Sequence, residues 1–379
     1  MTEITGRDPR SGHTLRVLTE AGMVAQVEEI AEHTDLYLSA GLVDLQVNGF
    51  AGSDMNAADL CADTVLAMVN ALLANGVTCI APTLITADEN SICNALKTIA
   101  HARKLHAKAS ECIPYVHVEG PHISALDGYR GAHPREHVRP PSIAEFERWQ
   151  KVSGGIVGLV TMSPHYENSE EYIAHLVSRG VHVAIGHTHA TPEQIFHAVD
   201  AGARLSTHLG NGIAAEIPRH RNAIWSQLSD QRLTATVIAD GHHLPPEVLQ
   251  VILRAKGEER SVLISDAVAL AGMPAGTYDT PVGGHVELHA DGRLCLRGTN
   301  FLAGSTTTLR QSVGNIVRVT GKSLADALAM ATLNPGRFAG GRGTLEVGSR
   351  ADLVRFRWSD EMDIEDVWLK GERVYAHSC

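Results

Sequence analysis

Apolar and polar positions alternate in blocks along this chain. Eight short runs are dominated by apolar and β-branched residues: GLVDLQV (41–47), VTCIAPT (77–83), IPYVHVE (113–119), IVGLVTM (156–162), VHVAIGH (181–187), ARLSTHL (203–209), TATVIAD (234–240) and SVLISDA (261–267). Runs of this length and composition read as strands buried on both faces, as in a parallel sheet. Between most of them lie segments of helical periodicity, such as 63–76, 91–105, 191–203 and 245–257. The segment TPEQ carries a start signal, with Thr191 as N-cap and Pro192 at the first helical position. Eight strand-then-helix units predict an α/β chain folded as a (β/α)8 TIM-like barrel over 41–343. The ends break the alternation. HTLRVL, DLYLSA, ADLVRFRW and DVWLKGERVYA are short strand-like runs with turns, and they predict one small β domain made from residues 1–40 plus 344–379.

Length and composition fit this picture. A chain of 379 residues, 44% hydrophobic, suffices for one large barrel and an appendage. A net charge of −11 argues against nucleic acid or an anionic membrane surface as partner, though one local arginine is enough to bind a small anion. Cys61, Cys79, Cys93, Cys112, Cys295 and Cys379 are scattered with no C-x-x-C pair, which reads as reduced thiols. The N-terminus is polar, without a signal-peptide core, and no apolar run approaches the ~20 residues of a membrane span. The expectation is a cytoplasmic protein.

A barrel carries its chemistry at the C-terminal ends of its strands. There the sequence places Glu119, His187, His208 and Asp266, with Asp240, His242 and His243 after the seventh run. One carboxylate and two imidazoles suit a catalytic Zn²⁺, with the fourth position left to water. A further carboxylate across the mouth suits a general base. The stretch AIGHTHAT sets His187 and His189 two apart, and on a strand such residues share a face. Either both clasp a metal, or one is a ligand and the other a bystander.

These residues sit in motifs that resemble the amidohydrolase superfamily, and within it the N-acetylglucosamine-6-phosphate deacetylases. The carriers are GLVDLQVNGFAG (41–52), HVEGPHIS (117–124), RGAHP (130–134), GHTHAT (186–191), THLGNGI (207–213), IADGHH (238–243), ISDA (264–267), LAGSTTT (302–308), ATLNPGR (331–337) and GTLEVGSRADLV (343–354). The resemblance implies a barrel with a small β-sandwich from both chain ends. It implies a homodimer and a small amino-sugar substrate. It implies metal ligands Glu119, His187 and His208, a catalytic Asp266, and His133 as a catalytic group contacting the substrate. Ala132, Asn211, Gly212, His243, Leu302, Ala303 and Gly304 become substrate-binding positions, with Arg219 as the phosphate contact supplied by the neighbouring subunit. His187 is then the ligand of AIGHTHAT, and His189 lies behind it or faces substrate. At the end of the first strand, where two-metal amidohydrolases carry H-x-H, this chain has Gln46-Val47-Asn48. Amides are poor Zn²⁺ ligands, so one metal is expected, Zn²⁺ or, on the same nitrogen and oxygen ligands, Fe²⁺.

The implied reaction is hydrolysis of the N-acetyl amide of N-acetylglucosamine 6-phosphate. Gly210, Gly212, His165 and the stretch EIPRHRNAIW (216–225) depart from the family pattern, and all surround the substrate rather than the metal. Two other readings therefore stand beside the first. One is a sister amidohydrolase acting on an unphosphorylated N-acyl amino sugar or another amide. The other is an inactive binding member of the fold.

Overall fold

The computed structural model describes residues 1–280, 284–299 and 301–377. Eight parallel strands form one sheet in chain order: Leu42–Val47, Val77–Ile85, Val116–Glu119, Val157–Met162, His182–Ile185, Leu205–Ser206, Thr234–Ile238 and Ser261–Ile264. A parallel bridge between Val47 and Ala267 brings the last strand back to the first and closes the barrel. Each anticipated run holds one of these strands, except that the second strand outruns VTCIAPT by two residues. The sixth is only two residues long, because the chain turns away at Thr207 to present His208.

Alternate strand residues point into the barrel. Val43, Leu45, Cys79, Leu159, Ala184, Leu205, Ile238, Val262 and Ile264 fill its interior as one buried cluster. The opposite faces pack under the surrounding helices with Trp149, Tyr172 and Phe146 fully buried. The helix Pro192–Asp200 starts as its sequence indicates: Thr191 and Gln194 form a reciprocal capping box with Pro192 in the first turn.

The two chain ends share a seven-stranded sheet. Tyr37–Ala40 pairs antiparallel with Leu353–Trp358, which joins the N-terminal strands to the C-terminal ones. Ile4, Val17, Val24, Leu38, Leu353 and Trp368 make its core. The polar start of the chain, which shows no strand-like run of its own, contains a strand, Thr2–Arg7. Its pairing with Thr14–Glu20 supplies what its own weak pattern does not. A second unforeseen element follows the eighth barrel strand. Gly276–Thr280, Gly284–Leu288 and Leu294–Leu296 form a small antiparallel sheet around Leu270, Val286, Leu288 and Leu294. Cys61, Cys79, Cys93, Cys112 and Cys295 are all free, and Cys379 lies outside the described residues. No helix among the described residues is long and apolar enough to cross a membrane.

One buried acid has a measurable consequence. Asp44 is fully buried in the first barrel strand, where its Oδ1 accepts from Ser265 N–H (3.2 Å) while Oδ2 has no partner. Burial raises its pKa to about 7. Between the unfolded value near 4 and 7, the folded state therefore holds a proton that the unfolded state has released, and stability falls as pH rises through that window. Comparing chemical unfolding at pH 5 and pH 8, the wild type is expected to lose up to roughly 3 kcal/mol more than Asp44→Asn. Equal losses in both proteins would show that Asp44 is ionised in the fold throughout.

Candidate active site

Four strand ends converge on one point. Glu119 closes the third strand, and His187, His208 and Asp266 each lie two residues past the end of theirs. His187, His208 and Asp266 all adopt left-handed backbone conformations, with φ of 48°, 29° and 48°. Such conformations cost non-glycine residues about 1–3 kcal/mol each and persist where the surrounding fold dictates them. Two glycines make room for the turn at His187. A Cβ on Gly212 would fall 2.7 Å from His187 Nδ1, and one on Gly131 would fall 3.2 Å from its Cε1.

The donor atoms form a compact triangle. Glu119 Oε1 lies 3.0 Å from His208 Nε2 and 3.3 Å from His187 Nε2, and the two nitrogens are 3.1 Å apart. Ligands about 2.0–2.1 Å from a tetrahedral Zn²⁺ are separated by roughly 3.3–3.4 Å, so one cation fits between these three atoms. His187 is preset for this role: its Nδ1–H donates to the Tyr129 carbonyl (2.9 Å), leaving the Nε2 lone pair toward the triangle. Burial pushes the Glu119 pKa up, but the two imidazoles beside it outweigh that and hold the carboxyl well below its usual range. For His208 burial acts downward, and the Glu119 bond more than offsets it.

His133 also brings a ring nitrogen within 4.8 Å of Glu119 and His187. Its tautomer argues for a different task. The Thr86 backbone N–H points at His133 Nδ1 (3.4 Å), which is therefore an acceptor, and the Thr86 hydroxyl donates to the same atom at 2.9 Å. Nε2 then carries the ring proton. Burial lowers the His133 pKa to about 3, so the ring is neutral. It offers a hydrogen-bond donor rather than a lone pair.

Asp266 stands opposite. Its Oδ1 accepts from Gln46 Nε2 (3.1 Å) and Asn48 Nδ2 (2.7 Å), which leaves Oδ2 free. Burial, then the negative charge of Glu119, push its pKa up. The amides at the end of the first strand thus orient a carboxylate. Sequence reasoning weighed them only as metal ligands, and no local pattern announces a bond spanning so much of the chain.

These groups line a cavity of about 440 Å³. The expected substrate positions Ala132, His133, Asn211, Gly212, His243, Leu302, Ala303 and Gly304 all line it, together with Asn48, Asp54 and Phe301. The small sheet of 276–296 contributes Thr280 and Leu294 to one wall. Arg219 does not line it. It is exposed, with its backbone carbonyl accepting from Trp225 Nε1 (3.2 Å).

AIGHTHAT resolves against the strand argument. The strand ends at Ile185, and the left-handed turn at His187 sends the two imidazoles apart. His189 Nδ1 pairs with Ser124 Oγ at 2.7 Å, and its ring lies against that of His165 (centroids 4.2 Å). His165 Nδ1 in turn pairs with Ser163 Oγ at 2.6 Å. His189 lines a separate cavity of about 230 Å³ with Tyr129 and Arg221. Neither histidine lines the central cavity, which overturns a substrate-facing position for His189.

Residues 37–374 match the amidohydrolase family model. The chain is 32% identical over 367 residues to N-acetylgalactosamine-6-phosphate deacetylase of Escherichia coli O157:H7, covering 95% of this chain and 94% of that protein. It is 31% identical over 341 residues to N-acetylglucosamine-6-phosphate deacetylase of Vibrio furnissii, covering 89% and 83%. The crystal structure of N-acetyl-D-glucosamine-6-phosphate deacetylase from Mycobacterium smegmatis superposes with a TM-score of 0.87 at 30% identity, over 98% of each chain. A match through nearly the whole barrel and both ends places this chain in the amidohydrolase family, in its branch of amino-sugar-phosphate deacetylases.

Proposed function

We propose that the protein hydrolyses the N-acetyl amide of N-acetylglucosamine 6-phosphate, or of a close N-acetylhexosamine 6-phosphate, to the amino sugar phosphate and acetate. The carrying observation is the Glu119–His187–His208 triangle with the free oxygen of Asp266 and the His133 donor on the same cavity. One divalent cation on these ligands, Zn²⁺ or Fe²⁺, supplies Lewis acidity at the acetyl carbonyl and lowers the pKa of water toward roughly 7. Asp266 accepts the proton of the attacking water through Oδ2. His133 donates Nε2–H to the carbonyl oxygen as it gains negative charge. Asp266 then returns the proton to the amine nitrogen as the C–N bond breaks, so one carboxylate serves as base and acid in turn.

Asn211, Gly212, His243 and 302–304 hold the sugar in this reading. Arg219, exposed on its own chain, reaches the phosphate across a homodimer interface. Residues 1–40 with 344–379 act as a separate β domain, 41–343 as the catalytic barrel, and the enzyme works in the cytoplasm. The deciding assay follows acetate release from N-acetylglucosamine 6-phosphate, its galactosamine epimer and the two unphosphorylated sugars. Phosphorylated substrates are expected to be preferred. Equal hydrolysis of the plain sugars would replace this reading with the sister enzyme. The close match to a galactosamine enzyme is the reason to include both epimers.

The tautomer of His133 carries its own test. Thr86→Val keeps shape and the backbone N–H but removes the hydroxyl that fixes Nδ1 as acceptor. Losing one hydrogen bond of about 1 kcal/mol should lower kcat roughly fivefold with KM little changed. An unchanged kcat would mean that the backbone alone sets the ring.

A further inference from the structure

Three acidic residues line the central cavity: Glu119, Asp266 and Asp54. Glu119 belongs to the ligand triangle and Asp266 to proton transfer. Asp54 has a part in neither. It ends the short strand Ser53–Asp54, which pairs with Gly49–Phe50 just past the first barrel strand. Bonds on both sides fix this hairpin at the cavity edge. Met55 N–H donates to the Asn48 carbonyl (2.9 Å). Asn56 ties the loop to the second barrel strand, its Nδ2 donating to the Thr83 carbonyl (3.1 Å) and its Oδ1 accepting from Ile85 N–H (2.9 Å). The hairpin also packs closely on the loop after the eighth strand, where a Cβ on Gly49 would fall 2.9 Å from Ala269 N. Asp54 itself is half-buried, and its Oδ1 accepts from Asn56 N–H at 2.8 Å, which closes the turn. Burial pushes its pKa up, the bonds from Asn56 act against that, and the negative charge of Asp59 adds to the rise. Among the described residues no lysine or arginine lines the cavity to balance this carboxylate. A phosphate is repelled by such a group, whereas a hydroxyl can donate to it. An ionised carboxylate has about four lone-pair positions, and the Asn56 N–H takes one. In a 2-acetamido 6-phospho sugar, the adjacent pair of free hydroxyls is that on C3 and C4.

We propose that Asp54 is a specificity-determining residue, whose carboxylate accepts hydrogen bonds from the C3–C4 hydroxyl edge of the sugar. This deepens the amide-hydrolysis reading above and rests on it. The metal ligands and Asp266 act at the nitrogen on C2 and do not sense the configuration at C4, where the glucosamine and galactosamine sugars differ. A rigid carboxylate on the cavity wall does sense it, because its bonds to hydroxyls are directional and charge-assisted.

Asp54→Asn in the metal-loaded enzyme tests it. The amide oxygen keeps the bond to Asn56 N–H, so the turn survives, and an NH₂ replaces the second carboxylate oxygen. Metal content and melting temperature should be unchanged. With the better of the two epimeric 6-phosphates, kcat/KM should fall about tenfold, mostly through KM, as one charge-assisted bond is lost. The decisive readout is coupling to the substrate. The 3-deoxy and 4-deoxy analogues of that sugar should be poorer substrates for the wild type. In Asp54→Asn at least one of those penalties should nearly vanish, because the contact is already gone. The ratio of kcat/KM between the two epimers should shift as well. A residue that only closes the turn predicts otherwise: Asn behaves as wild type, and Ala alone lowers the melting temperature. Unchanged kcat/KM in Asp54→Asn, or deoxy penalties as large in the variant as in the wild type, would overturn the proposal while leaving amide hydrolysis standing. No turnover of either epimer by the wild type would sink the functional reading and this proposal together.

Discussion

Asp266→Asn should retain its metal and its melting temperature and lose turnover by roughly 10²–10⁴-fold, the usual contribution of a general acid–base group. The geometry makes the substitution clean. Gln46 and Asn48 both donate to Oδ1 of Asp266. An amide in that place must direct its oxygen to those two donors, because turning its NH₂ toward them would set donor against donor. The NH₂ then occupies the position of the free carboxylate oxygen, where it has no lone pair for the proton of water. KM should change little, since the sugar is held by other groups, and metal analysis beside single-turnover kinetics separates lost chemistry from lost metal. Near-normal turnover would move the base to another group, with His243 the first to examine because it lines the same cavity.

The order of elements and the strand-end residues were legible because they rest on local signals. Buried parallel strands need continuous apolar runs, and the polar residue that breaks each run at its C-terminal end stands out: Glu119, His187, His208 and Asp266 all emerge this way. The orientation of each group was not legible. His187 turns one nitrogen inward through the Tyr129 carbonyl, His133 presents a donor through Thr86, and Asp266 exposes one oxygen through Gln46 and Asn48. Each partner lies far away in sequence and has no composition or spacing that marks it. The position of His189 stayed open because the two-residue period of a strand stops applying at the strand's end. A positive φ at a histidine is invisible to pattern reading, yet it separates the two rings. The 276–296 sheet was missed because the run of barrel units suggested no insertion there, although its residues form part of the cavity wall. Arg219 shows a different boundary. Its exposure in one chain fits both a residue offered to a second copy and an ordinary surface arginine, so the resemblance alone connects it with phosphate.

Glu119→Gln should strip the site of metal. Gln matches the shape and keeps an oxygen, but it removes the only anionic ligand of the triangle. That charge matters more here than at a surface, because the carboxylate is buried and is held ionised by the two imidazoles beside it. Without it, a dication must leave water for two neutral imidazoles and an amide oxygen, while Oδ1 of Asp266 is committed to Gln46 and Asn48. Disturbing residues behind metal ligands already weakens binding by about 10–100-fold, so losing a direct anionic ligand should exceed ~100-fold. After dialysis against chelator-free buffer, elemental analysis should find about one metal per chain in the wild type and far less in the variant, with activity following the metal. Excess Zn²⁺ should restore part of that activity, because His187, His208, His133 and Asp266 remain in place. A variant that retains a full metal equivalent would show that the carboxylate is not a ligand, and two equivalents in the wild type would defeat the single-metal reading that Gln46 and Asn48 support.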